Sequence, residues 1–312
     1  MNTKNPYKKG YLEVSDGNKL YYELCGNPDG IPVLFIHGGP GEGFSEKDKD
    51  FFNPEICNIM LFDQRGARRS KPFATLENNT TQKLIEDIQA FLNFVGVEKT
   101  FLFGGSWGST LSLAYAIQYP QKVSGMLLRG VWLATQSDKY YYIGGGIQTM
   151  YPEVWERFIN LVPQDERDNA DTYYLSQMQS PDKTISEKYT YEWAYYEMSL
   201  LRLKTTEEQV KKDMEEFNYR SLAPLEAYYI SNNCFLSENF IIDNAAKLSD
   251  IPTTIVHGRY DTICPPKNAY LLHKAIKNSK LIYTTAGHAS TDEENKKVLV
   301  EEMERFSKEF NS

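Results

Sequence analysis

The residues of this sequence that are best placed to do chemistry begin with Ser106, the centre of a Gly-x-Ser-x-Gly pattern at residues 104–108. An apolar run with strand character precedes the pattern, and a helical segment at residues 110–119 follows it. In that setting the pattern forms a sharp strand-to-helix turn that exposes a serine hydroxyl above a sheet edge. Ser106 is therefore predicted to be a nucleophile; the alternative is a Gly/Ser loop that only turns the chain.

Two further residues complete a catalytic set, and each comes after a segment that reads as a strand. Asp261 closes the loop after the strand predicted near residues 253–257, and His288 lies in the loop after the strand predicted at residues 280–283. The order Ser106, Asp261, His288 is the order used by hydrolases that carry their serine on such a turn. We expect His288 to act as general base and Asp261 to hold the correct imidazole tautomer.

The three other histidines fit structural roles better. His37 stands beside a glycine-rich loop and is expected to brace it, and His257 ends a buried strand and is expected to be a hydrogen-bonded core residue. His273 belongs to a predicted helix and is expected at the surface. Only His288 has the loop position that a general base needs.

A glycine-rich loop at residues 37–41 follows the short apolar strand predicted at residues 33–36. Such a loop leaves backbone N–H groups free to face a ligand, and in hydrolases of this kind it supplies one oxyanion donor. We expect the backbone N–H groups of Gly39 and Trp107 to form the oxyanion hole. The alternative is a plain turn.

The elements that must position these residues alternate between strands and helices. A hairpin is predicted at residues 11–25, a strand at residues 58–62, and an amphipathic helix that begins after Asn79 and Thr80. Arg65, between that strand and that helix, is expected to hold a loop by charge-assisted hydrogen bonds. The alternation predicts an α/β protein with a doubly wound, mostly parallel sheet and an active site at the carboxyl ends of its strands.

The alternation is interrupted between residues 132 and 235, where the chain is rich in Tyr, Trp and charged residues and has helical periodicity. We interpret this segment as a helical cap inserted into the sheet domain above the active site. The predicted division is a core at 1–131, the cap at 132–235 and the rest of the core at 236–312.

Composition excludes several classes of protein. A net charge of −8 and a pI near 5.2 argue against nucleic-acid binding and fit a cationic substrate or an ordinary acidic enzyme. Four widely spaced cysteines indicate reduced thiols, and we expect neither disulfides nor a metal site or cofactor. The first residues lack an apolar signal segment, and no apolar run approaches the roughly 20 residues that a spanning helix needs. We therefore expect a cytoplasmic protein without membrane contact.

The motifs together resemble the prolyl aminopeptidases (proline iminopeptidases), serine peptidases of the α/β-hydrolase fold. The resemblance extends from about residue 10 to the C-terminal helix, and a Trp directly after the nucleophile distinguishes the motif from that of generic esterases. Its motifs are His-Gly-Gly-Pro-Gly at 37–41, Asp-Gln-Arg-Gly at 63–66, Gly-Gly-Ser-Trp-Gly-Ser at 104–109, His-Gly-Arg-Tyr-Asp at 257–261 and Gly-His at 287–288. The resemblance implies release of N-terminal proline from peptides with a free amino terminus.

Two glutamate motifs of the cap belong to the same resemblance. Trp-Ala-Tyr-Tyr-Glu at residues 193–197 and Leu-Glu-Ala-Tyr-Tyr at residues 225–229 resemble the segments that carry the family's amine-binding glutamates. The resemblance implies that Glu197 and Glu226 bind the terminal amine of the substrate.

Arg129 resembles an arginine near that amine site, and Trp132 and Tyr142 fall where aromatic residues line the family's proline pocket. The chain departs from the family pattern at four positions: Arg68 for a glycine, Tyr196 for a tryptophan, Tyr228 for a histidine and Ile230 for a phenylalanine. These departures concern the strictness of the proline preference more than the chemistry.

Two other functions remain open from the sequence alone. A capped esterase or lactonase would use the same three residues but would not need Glu197 and Glu226. A binding protein that merely retains a hydrolase fold usually loses part of the catalytic set, which is complete here. The sequence does not indicate an oligomeric state.

Overall fold

A computed structural model describes residues 5–311 of the chain. Residues 1–4, which belong to the segment expected to lack a secretory signal, and residue 312 lie outside the described residues. Eight strands form one sheet in the order β1-β2-β4-β3-β5-β6-β7-β8. The strands are β1 Pro6–Glu13, β2 Lys19–Gly26, β3 Ile31–Ile36, β4 Cys57–Phe62, β5 Thr100–Gly105, β6 Val123–Arg129, β7 Thr253–Gly258 and β8 Lys280–Thr284.

Eleven α-helices accompany the sheet within the described residues. They are α1 Thr81–Val95, α2 Trp107–Gln118, α3 Gln136–Ile143, α4 Pro152–Ile159, α5 Ala170–Met178, α6 Lys183–Leu200, α7 Glu207–Glu216, α8 Tyr219–Ser231, α9 Phe240–Asn244, α10 Pro266–Ala275 and α11 Glu293–Asn311. The predicted strands and helices of the sheet domain are confirmed, with bounds that differ by a few residues.

The sheet is parallel from β4 through β8, and only the hairpin β1–β2 and the β2–β4 pair are antiparallel. Successive residues of β5 face opposite sides: Leu102 packs into one apolar cluster, and Phe101 and Phe103 pack into the other. A strand that is buried on both faces reads as a continuous apolar run, which is what the sequence before Ser106 shows. The predicted doubly wound sheet is confirmed.

Arg65 has the structural role expected for it. Its guanidinium is buried and donates to both carboxylate oxygens of Asp87 on α1, at 2.6 and 2.9 Å, and to Asp16 in the β1–β2 turn at 3.0 Å. The bidentate pair ties the loop after β4 to α1. Thr80 caps that helix as predicted, because its hydroxyl accepts the backbone N–H of Lys83.

Between β6 and β7 the described chain forms helices and turns without a strand. The helices α5, α6 and α8 pack together there around buried aromatic side chains such as Tyr174 and Trp193. Within residues 5–311 we find no helix that is both long and apolar enough to cross a membrane.

Candidate active site

Ser106 occupies the turn between β5 and α2 in a conformation that serine rarely adopts. Its backbone has φ 56° and ψ −128°, in the region that favours glycine. The turn requires both glycines of the pattern: a Cβ on Gly104 would lie 2.3 Å from the carbonyl oxygen of Gly108, and one on Gly108 would lie 2.1 Å from that of Ile36. Close packing of α2 against β3 and β5 therefore holds the turn in its strained form.

This strain predicts that Ser106→Gly stabilises the protein relative to Ser106→Ala. Both variants lack the hydroxyl, but only alanine keeps a Cβ at a positive φ, so we expect the free energy of unfolding of the glycine variant to be higher by about 1 kcal/mol. Urea unfolding of the two variants measures the difference. A glycine variant less stable than the alanine variant would contradict the strain.

Asp261 and His288 form a hydrogen-bonded pair at the carboxyl ends of β7 and β8. His288 Nδ1 and Asp261 Oδ2 lie 2.8 Å apart, and both side chains are buried. The other oxygen of Asp261 accepts the backbone N–H groups of Ile263 and Cys264, at 3.1 and 2.8 Å. Burial alone would raise the pKa of Asp261, but His288, His257 and the Cys264 N–H outweigh burial and hold the pKa below its usual range.

Ser106 and His288 line the same cavity, which has a volume of about 380 Å³. The sheet topology brings them together, because β5, β6, β7 and β8 are neighbours and the loops after parallel strands emerge at one edge. The three residues that the sequence singled out, at positions 106, 261 and 288, therefore lie at the same edge of the sheet. A serine, a histidine and an orienting carboxylate in this arrangement can carry out acyl transfer.

The loop after β3 borders the same cavity. Gly39, which has a φ of 97°, lines the cavity beside Ser106, and Trp107 is the first residue of α2, where backbone N–H groups lack partners within the helix. Buried His37 accepts the backbone N–H of Gln64 on Nε2 at 2.9 Å, and Gln64 in turn donates to the His37 carbonyl and accepts the indole N–H of Trp107. His37 braces this loop as expected, and burial lowers its pKa to about 4.

Two buried carboxylates from the helices above the sheet face each other. Glu197 on α6 and Glu226 on α8 lie within hydrogen-bonding reach, and Trp193 Nε1 donates to Glu226 at 2.7 Å. Burial raises the pKa of Glu226 to about 7, and burial together with the neighbouring carboxylate raises that of Glu197 well above its usual value. The Glu226 carboxylate therefore disfavours ionisation of Glu197, and Oε2 of Glu197 is buried without a hydrogen-bond partner.

Aromatic side chains line a small recess next to Ser106. Trp132 and Tyr142 lie in its wall together with Glu226, and their rings make an edge-to-face contact at 6.2 Å between centroids. Arg129 instead lines the cavity of about 380 Å³ that contains Ser106 and His288, and its guanidinium donates to the His288 carbonyl at 2.7 Å. The residues predicted to bind substrate thus surround Ser106 from several sides.

Sequence reasoning missed two acidic side chains that line the same cavity as Ser106 and His288. Glu42 directly follows the glycine-rich loop, and Asp48 accepts the backbone N–H of Ser45, the N-cap of the short 3-10 helix Glu46–Phe51. Burial raises the pKa of both, to about 8 for Glu42. Their position beside the loop was the only available signal. In the part of the chain that the structure describes, no group of three or more His, Cys, Asp or Glu side chains is arranged to hold a metal ion.

The remaining histidines and the cysteines lie outside the catalytic set. His257 is buried, with Nε2 2.8 Å from the carbonyl oxygen of Cys264, as expected of a core residue. His273, expected at the surface, is half-buried, and its Nδ1 lies 2.9 Å from the Ser279 hydroxyl. All four cysteines are buried and unpaired.

The fold and the site define a hydrolase of the α/β class. Residues 31–295 match the sequence family described as alpha/beta hydrolase fold, which covers most of the chain. Two solved structures agree with this fold: an esterase from Exiguobacterium antarcticum (TM-score 0.67, 19% identity, 96% of this chain and 100% of that one) and VinJ (TM-score 0.69, 17% identity, 97% and 99%). At these identities the two structures support the fold alone.

Curated relatives narrow the assignment. A proline iminopeptidase from Arabidopsis thaliana is 41% identical over 291 residues, which cover 92% of this chain and 76% of the relative. Another, from Neisseria gonorrhoeae, is 38% identical over 303 residues, which cover 96% of each chain. The chain belongs to the proline iminopeptidase family of α/β hydrolases.

Proposed function

We propose that this protein is a serine aminopeptidase that releases N-terminal proline from peptides through an acyl-enzyme intermediate. The observation that carries the proposal is the buried carboxylate pair Glu197 and Glu226, which lies close to a nucleophile with its base. An ester hydrolase with a neutral substrate has no use for two buried acids, because burying carboxylates is costly unless they meet a cation.

In the proposed mechanism, the Ser106 hydroxyl attacks the carbonyl carbon of the N-terminal residue while His288 takes its proton. Asp261 stabilises the imidazolium that forms. The backbone N–H groups of Gly39 and Trp107 hold the developing oxyanion, and one such donor is typically worth about 2.7–4 kcal/mol. His288 then protonates the departing amine, and water hydrolyses the acyl enzyme.

The amine end of the substrate is bound by the carboxylate pair. An N-terminal proline is a secondary amine that offers two N–H donors when it is protonated, so Glu197 and Glu226 take one each. Both carboxyls are ionised when the ammonium is bound, and the three buried charges then offset one another. Arg129 limits the accumulation of negative charge near this site, since its guanidinium lines the same cavity as Glu197.

The proline ring is bound in the recess that Trp132 and Tyr142 line. Selection of the ring is a modest effect, since one methylene in an apolar pocket is worth only about 1–3 kcal/mol, and some cleavage after other small residues is expected. We also propose that residues 132–235 form a cap domain inserted between core segments 1–131 and 236–312; the run of helices between β6 and β7 supports this division.

The experiment that tests this function compares three chromogenic substrates: prolyl p-nitroanilide, its N-acetyl form and p-nitrophenyl acetate. We expect turnover of the free-amine prolyl compound to exceed that of the acetylated compound by at least a hundredfold, because acetylation removes the charge that the carboxylate pair binds. Comparable turnover of both prolyl compounds would contradict the proposal. An esterase activity on an ester of a physiological acyl group that exceeds the amidase activity on prolyl p-nitroanilide would also contradict it.

The raised pKa values of the pair predict a specific pH dependence. Below pH about 7 Glu226 is protonated, so the pair lacks the charge that attracts an ammonium, and kcat/KM for prolyl p-nitroanilide rises as the pH increases through about 7. Groups that act on both substrates affect both rates, so the ratio of this kcat/KM to that for p-nitrophenyl acetate isolates the pair. We expect the ratio to increase with pH between 6 and 8; a constant ratio would contradict the role of the pair.

A further inference from the structure

Arg68 lies where two cavities meet. It lines the cavity that contains Ser106 and also a second, more open cavity of about 730 Å³ between α6, α7 and α8. The two cavities share Arg68 with the turn from α7 to α8 at residues 216–218. In the proposed mechanism, the part of a peptide that follows the scissile bond extends from Ser106 into the first cavity, and Arg68 lines that cavity.

The backbone of Arg68 is strained. Its φ is 41°, in the left-handed region that favours glycine, and glycine is the residue that the family pattern has at this position. A long side chain in this conformation costs of order 1–3 kcal/mol and persists only where the surroundings enforce it. Such strain at the wall of a cavity suggests that the side chain has a use there.

The guanidinium of Arg68 is not in ion-pair contact with a carboxylate within residues 5–311; its hydrogen bond goes to the Phe44 carbonyl, at 3.0 Å from Nη1. Four other cations around the two cavities are paired: Lys47 with Glu216, Arg202 with Asp213, Lys211 with Glu207 and Arg220 with Glu187. Arg129, beside Ser106, instead donates to the His288 carbonyl. Glu42 and Asp48 feel the charge of Arg68 only through space, and neither contacts it. Toward the residues that the structure describes, the guanidinium of Arg68 uses one of its five N–H donors, which leaves the other four for a ligand.

We propose that Arg68 binds a carboxylate of the departing peptide, either the C-terminal carboxylate of a short substrate or an acidic side chain in a longer one. A planar guanidinium presents parallel N–H groups that match the two oxygens of a carboxylate. At a pH where Glu42 and Asp48 are ionised, these two acids of the same cavity would repel such a substrate in the absence of Arg68. This inference rests on the proposed function and adds a preference for anionic leaving peptides.

The test measures kcat/KM for prolyl-alanyl peptides of two, three and four residues, each as the free acid and as the C-terminal amide, with Pro-Asp-Ala-amide and Pro-Asn-Ala-amide as a further pair. We expect the wild type to prefer the anionic member by about tenfold or more in at least one pair. The pair that shows the preference distinguishes a terminal carboxylate from a side chain. In Arg68→Gln the ratio is expected to fall to one or below, and Arg68→Lys should restore part of it.

The readout is a ratio, so a general effect of substitution on activity cancels. Lys47→Gln is the matched control, because Lys47 is another cation of the same cavity but is already paired with Glu216, and the preference should survive. Arg68→Gly should lose the preference while its unfolding midpoint stays the same or rises, which excludes unfolding as the cause.

Two results would overturn the inference while the proposed function stands: equal kcat/KM for acid and amide in every wild-type pair, or a preference that persists in Arg68→Gln. A parallel fall for acid and amide in Arg68→Gln would also overturn it, since Arg68 would then only balance Glu42 and Asp48. Absence of turnover for prolyl p-nitroanilide and for every peptide would overturn the proposed function and the inference together.

Discussion

Replacement of Ser106 by alanine is expected to lower kcat for prolyl p-nitroanilide by a factor of about 10⁴–10⁶. The serine oxygen forms the bond to the acyl group, so no other residue can substitute for it, and the residual rate comes from the oxyanion donors and from substrate binding. KM should change little, because the hydroxyl contributes more to the transition state than to binding. Steady-state kinetics with active-site titration of the wild type measures the effect.

Ser290→Ala is the matched control for this result. Ser290 lines the same cavity as Ser106 but follows no elbow turn, and we expect its removal to lower kcat by less than tenfold. The thermal unfolding midpoint of both variants shows whether they are folded. A Ser106→Ala variant that is folded and keeps more than about a tenth of the wild-type kcat would show that the serine is not the nucleophile.

Replacement of Glu226 by glutamine is expected to lower kcat/KM for prolyl p-nitroanilide by about 10²–10³. Glutamine preserves the volume of the side chain, but it carries no charge. The substrate ammonium would then be buried beside one carboxylate instead of two. Loss of one member of a buried charge pair typically costs about 3–5 kcal/mol. Glu197→Gln should have an effect of similar size, because the two carboxylates bind the same group.

The acetylated substrate provides the internal comparison. It has no charge to lose, so its turnover should change little in Glu226→Gln, and the selectivity of at least a hundredfold should largely disappear. Glu192→Gln is the matched control, since Glu192 lies on α6 like Glu197 but pairs with Arg157 away from the cavity. If Glu226→Gln slowed both substrates equally, the glutamate would support the fold and not the amine.

The sequence predicted the positions of Ser106, Asp261 and His288 because each follows a strand, and parallel strands deliver their following loops to one edge. This inference needs only local patterns and chain order. It could not supply the contacts that tune the site. Glu42 and Asp48 acquire raised pKa values from burial by segments distant in the chain, and nothing in their local sequence reports that burial.

The structural residues show the same division. Arg65 and His37 were predicted to brace loops from their neighbours in the motifs, and the structure supplied the partners, Asp87 and Gln64. His273 was expected at the surface because it lies on a predicted helix. The sequence of a helical segment alone does not reveal which face of the helix is covered, so the partial burial of His273 could not be predicted. The structure places it beside Ser279, in the turn that leads to β8. Pairing between distant segments is set by packing, so it had to be observed.

Glu226 and Ser106 are held by different elements of the fold, and this bears on where a substrate peptide is cut. The nucleophile is fixed on the sheet and the carboxylate is fixed on α8, so the span between them is set by how the two layers of the protein are assembled. In the proposed mechanism this span determines that cleavage falls after one residue and no further along. A β-amino acid at the amino terminus, whose amine and carbonyl are one carbon farther apart, would not fit both ends at once.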